Sequence, residues 1–159
     1  MDVQGIIDIM AKQTRIYEKL FQLAKEKTEA IKVNDIDTLN RITEQEQVHV
    51  AELQRLESER AGQMEKAAGG NGSLTLSELL QKADEKDLLQ KTAEELSDIL
   101  KKLKEANELN QELLYHSLQF IHFSLSLVRP GEPASGYGPE GQHKASGRRQ
   151  SKPLLNTKV

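Results

Sequence analysis

Apolar residues in this chain recur at alternating steps of three and four, from Val3 to Ala67 and again from Leu88 to Val128. That spacing draws one stripe along an α-helix; a strand would need a step of two. Breaks fall only near residues 34–35, 69–73 and 84, so a few long helices and no strand are predicted. Such helices bury their stripes against one another. The expected fold is therefore all-α, with long antiparallel helices forming a coiled-coil-like bundle. Composition fits this: charged residues make up 30%, aromatics 4%, and Trp is absent, the balance of elongated helices with a thin core.

The first helix is expected at about 3–33. Val3, Ile6, Met10, Tyr17, Leu20, Ala24 and Ile31 form its stripe, with Gln13 and Lys27 in the gaps. Ile9, Ile16, Leu23 and Ala30 repeat every seven residues beside it, widening the face enough for two neighbours. Asn34 or Asp35 can cap a second helix at about 36–67. Its core positions read as Ile36, Leu39, Ile42, Leu53, Leu56 and Met64, interrupted by Glu46, His49 and Arg60. So short a connection favours an antiparallel hairpin over a kinked continuation. The glycine cluster at 69–72 is a break. It lacks the preceding strand and the Lys-Ser or Lys-Thr pair of a phosphate-cradling loop. Ser73 or Thr75 can cap a short helix at about 75–83, with Glu78 three residues after Thr75 as a capping-box partner.

The last helix is expected at about 85–128. One seam runs through Leu89, Ala93, Leu96, Leu100, Leu103, Asn107, Asn110, Leu114, Ile121, Leu125 and Val128. Ile99, Ala106, Leu113, Phe120 and Leu127 form a row beside it. Leu20 and Leu100 are expected in the core, where truncation to Ala costs about 2–5 kcal/mol. From Leu113 to Val128, ten of sixteen residues are Leu, Tyr, Phe, Ile or Val, leaving no wide polar face. A helix apolar all round is buried all round or is waiting to be covered. Phe120 and Leu127 continue the bundle row and are expected to pack internally; Tyr115, Leu118 and Phe123 lie off it. Arg129-Pro130-Gly131 then stops the helix, so a bundle over 1–128 and a flexible tail over 129–159 are expected.

Charge is uneven. Residues 1–128 carry a surplus of seven acidic groups; residues 129–159 hold six Lys or Arg against two Glu. An acidic body argues against nucleic acid as the main partner. No apolar run reaches 18 residues, so no stable membrane insertion is expected. Segment 113–128 also lacks the Lys/Arg face of a membrane-surface helix. The N-terminus has no basic n-region, so no secretory signal is expected. Without cysteine there is no thiolate chemistry. His116 and His122 face differently and form no metal pair, and no Gly-x-Ser-x-Gly pattern occurs. No enzyme, metal site or cofactor is expected.

Several segments carry a family likeness: Leu39-x-x-Ile42-Thr-Glu-Gln-Glu46, Leu53-Gln-Arg-Leu-Glu-Ser-Glu-Arg60, Asn107-x-x-Asn110-x-x-Leu113-Leu114, Ser117-Leu-Gln-Phe-Ile121 and Tyr137-Gly-Pro-Glu-Gly141. In this order the chain resembles the FlgN flagellar export chaperones over most of residues 1–141. The resemblance implies a cytoplasmic helical chaperone that uses no nucleotide. Its clients would be hook-associated proteins of the hook–filament junction. It would deliver them to the cytoplasmic domain of the flagellar type III export gate. It places client binding at Leu113, Leu114, Tyr115, Leu118, Ile121, Phe123, Leu125 and Val128, and export-gate docking at Tyr137. The alternative is a structural or regulatory coiled-coil protein whose last helix closes its own homo-oligomer.

Overall fold

The computed structural model describes residues 2–70, 72 and 74–128. Among these there are four helices and no strand: α1 (Gln4–Lys32), α2 (Ile36–Ala67), α3 (Leu76–Lys82) and α4 (Lys86–Val128). The tail expected at 129–159, Tyr137 included, lies outside the described residues. The chain divides into two compact units, Met1–Leu114 and Tyr115–Val159.

In the first unit α1 and α2 form the expected antiparallel hairpin. Gln13 Nε2 donates to Glu57 at 3.1 Å and Lys27 Nζ to Glu46 at 2.6 Å, so positions rising along α1 meet positions falling along α2. The turn is built by two caps. Asn34, at φ 56°, ends α1 in a Schellman arrangement, with the Asn34 amide on the Ile31 carbonyl and the Asp35 amide on that of Ala30. Asp35 then starts α2 by accepting from the Thr38 amide at 3.1 Å. Gly69, at φ 70°, ends α2 by the same geometry, where a side chain would be strained. The Thr75–Glu78 capping box opens α3.

Segment α4 within this unit runs parallel to α1. Near its start Leu89 joins Val3, Ile6, Ile7 and Met10, with Leu79 and Ala83 from α3 and its cap closing that end. Further along, Leu103 packs beside Leu20, Leu23 and Ile42. Buried Asn110 donates to the Ala24 carbonyl at 2.9 Å and meets the Thr28 hydroxyl, which lies 2.5 Å from its side-chain oxygen. A satisfied buried amide fixes the register of α4 on α1, because any slip strands it unpaired. Asn107 is exposed.

Those contacts rotate the seam expected on α4. Leu89, Thr92 and Ile99 are buried, and Leu96, Leu103, Ala106 and Leu113 are half-buried, a strict three-four row that passes between the two expected ones. Leu100, expected in the core, is 40% exposed, and Leu114 is exposed as well. Ile36 also fails as a core position: it is the first residue of α2 and stands in solvent. Ile7 and Thr14 are buried beyond the expected stripe, because α1 must also face α3 and α4.

Gln13 and Lys27 in the α1 stripe are cross-links to Glu57 and Glu46 of α2, and Arg60 braces Glu57 from one turn along α2. Glu57 accepts from Arg60 at 2.6 and 2.9 Å as well as from Gln13. The Arg60 hydrogen bond, helped by Gln13, holds the Glu57 carboxyl below its ordinary value against the opposing effect of partial burial. A lowered carboxylate contributes stability above about pH 4.3 that is lost as pH falls through its folded value. Glu57→Gln is therefore expected to be less stable near neutral pH and to lose less on acidification. Urea melts at about pH 7 and pH 3.5 check this; parallel curves for the two proteins would contradict it. Asp35, Glu52 and Glu78 are also lowered by local hydrogen bonds, so the variant retains some acid sensitivity.

Candidate protein-binding surface

Residues 115–128, the described part of the second unit, contain no Asp, Glu, Lys or Arg. They form the last turns of α4. Two physical reasons make this stretch helical. Its Leu and Gln residues are good helix formers, and neither Gly nor Pro interrupts it. Within it Gln119 donates to the Tyr115 hydroxyl at 3.0 Å, one turn apart, and the Tyr115 and His116 rings meet edge-on at 5.8 Å.

Eight large apolar side chains stand exposed in these fourteen residues: Tyr115, Leu118, Phe120, Ile121, Phe123, Leu125, Leu127 and Val128. Among the described residues the rest of the chain exposes nine more, scattered over α2, α3, the rest of α4 and the α1–α2 turn. Leu118 is 53% exposed and Phe123 61%. Phe120 is 67% and Leu127 64% exposed, which corrects the expectation that they pack internally. At the end of the first unit Leu114 is exposed and Leu113 half-buried, so Leu113 belongs to the bundle row rather than to the open surface.

The heptad arithmetic explains the change. Continued past Leu113, the bundle row falls on Ser117, Phe120, Ser124 and Leu127, so every second position is a small polar residue. Leu118, Ile121, Leu125 and Val128 instead make an apolar stripe one position further round. Such a stripe, uncharged and flanked by aromatics, can hold another amphipathic helix through side-chain packing alone. The polar side chains between its residues are His116, His122, Gln119, the Tyr115 hydroxyl and those of Ser117, Ser124 and Ser126. Among the described residues no cluster of three His, Cys, Asp or Glu side chains is placed to hold a metal ion. Among the described residues no helix is long and apolar enough to cross a membrane.

An exposed, uncharged apolar helix end of this kind suits packing against another helix. The family model for FlgN proteins matches residues 1–145. The chain belongs to the FlgN family, whose members are flagellar chaperones rather than enzymes. It is 31% identical to YvyG of Bacillus subtilis (strain 168), an uncharacterized protein, over 86% of this chain and 87% of that one. No solved structure matches it significantly.

Proposed function

We propose that this chain is a cytoplasmic chaperone for hook-associated proteins, which it delivers to the flagellar type III export gate. The observation that carries the reading is the density of exposed apolar side chains on uncharged residues 115–128. Client contact falls on Leu114, Tyr115, Leu118, Ile121, Phe123, Leu125 and Val128, with Leu113 at the edge. Covering an apolar helix of a subunit that has not yet assembled prevents premature association and needs no nucleotide. Family membership supports the flagellar setting. A pull-down of a hook-associated protein by the full chain, set against a chain ending at Gln111, tests it. Capture should be lost with the truncation. Equal capture by both, or a stable homo-oligomer with this helix protected, favours the structural coiled-coil alternative.

Gate docking is assigned to Tyr137 on the family likeness and on its setting as the only aromatic after Phe123, between Gly136 and Gly138. Tyr137→Ala, in a purified client complex titrated with the cytoplasmic domain of the gate, should weaken gate binding by about tenfold, about 1.4 kcal/mol. Client affinity should stay within a few-fold. Unchanged gate binding, or loss of the client, contradicts the assignment.

A further inference from the structure

We infer that the groove between α1 and α2, on the flank of α2 away from α4, docks an acidic amphipathic helix of a protein partner. This surface is separate from the apolar helix end, and its chemistry is different. The groove measures about 680 Å³ and is lined by α1 and α2 alone. Along its α1 edge Lys12, Arg15 and Lys19 follow steps of three and four, so all three point to one side. Its apolar surface comes from Ile16, half-buried, and from Val48, 68% exposed on the α2 lip, with Leu56 fully buried beneath them.

The local charge is opposite to that of the body. Residues 1–128 carry a surplus of seven acidic groups, yet the acid lining this groove is Glu52 alone. Glu52 is bound to Arg55 at 2.5 Å and Arg55 also holds Glu59, so this triad carries one net negative charge against the three cations of the α1 edge. Among the described residues Arg15 and Lys19 form no ion pair. The other flank of α2 is different. There Glu46 and Glu57 line a cleft of about 620 Å³ that Leu103 and Asn107 of α4 help to wall. An acidic helix is repelled by most of this body and attracted at one strip, which gives register as well as affinity.

The chemistry selects among occupants. Segment 129–159 carries six Lys or Arg against two Glu, the wrong sign for this groove. Nucleic acid offers phosphates but no apolar row for Ile16 and Val48, and as a polyanion it meets the net acidic body. A helix with Leu or Ile on its seam and Glu on the flanking positions satisfies apolar surface and edge together.

The test uses the full chain and a fluorescein-labelled synthetic helix of about 21 residues, Leu at its seam positions and Glu at the flanking ones. Anisotropy should report saturable binding that weakens on the order of tenfold from low salt to about 0.5 M. The triple variant Lys12→Glu, Arg15→Glu, Lys19→Glu should lose at least about tenfold, with unchanged far-UV circular dichroism. Val48→Asp, a single change at an exposed lip, should weaken binding as well and guards against misfolding of the triple variant. Leu118→Asp with Phe123→Asp should bind this peptide within a few-fold of the parent, which separates the groove from the client surface. The inference is overturned if no peptide binds, if the triple variant binds as the parent does, or if single-stranded RNA or anionic vesicles displace the peptide from the same residues.

Discussion

A chain carrying Leu118→Asp and Phe123→Asp together is expected to lose binding of the proposed hook-associated client while keeping its far-UV helicity. Both side chains are more than half exposed, so neither substitution empties a core. Aspartate in the middle of a helix costs only a few tenths of a kcal/mol in propensity. Binding is different. Each lost apolar contact removes about 1.5–3 kcal/mol if fully buried in the complex. Each carboxylate must also be desolvated or left in a wet gap. Affinity should fall by at least about a hundredfold, about 2.7 kcal/mol. Titration calorimetry with the purified client, beside circular dichroism, reads both quantities. Normal binding by the variant would remove this surface from client recognition. Equal loss of fold and binding would point to a helix that holds its own assembly together.

The second large effect concerns the core. Leu56 is fully buried on α2, and Leu56→Ala should destabilise the bundle by about 2–5 kcal/mol, through lost transfer energy and the cavity left behind. Leu20→Ala, at 7% exposure, falls in the same range. Leu100→Ala should cost much less, about 1 kcal/mol or below, since much of that side chain is already in water. Urea melts of the three variants check the ranking. A Leu100 variant as damaged as the Leu56 variant would put the α4 seam back through Leu100.

The contrast between Leu56 and Leu100 shows what was legible in the sequence. On α1 the apolar residues lie in adjoining rows, and Val3, Ile6, Met10, Leu20, Ala24 and Ile31 are all buried as their spacing requires. On α4, Leu100 and Ile99 belong to neighbouring rows of similar apolarity, and spacing alone does not choose between them. The choice is made by Asn110 reaching the Ala24 carbonyl and Thr28, a contact 82 to 86 residues apart in sequence. Gln13, Lys27, Glu46 and Arg60 were visible as irregularities in their stripes. Their role required knowing which position of α2 lies across from which position of α1. The surplus of apolar residues after Leu113 was plain from composition, but whether they are covered is a tertiary fact. Phe120 and Leu127 were misplaced for that reason. The basic strip at Lys12, Arg15 and Lys19 carries no signal until α2 supplies Val48 and Leu56 beside it.

Hydrogen exchange over residues 115–128, in the free chain and in the complex with a hook-associated protein, tests the proposed role most directly. Amides of this segment should exchange quickly in the free chain and become protected on client binding, while those of the α1–α2 hairpin change little. Protection that is already high in the free chain and unmoved by the client would contradict it.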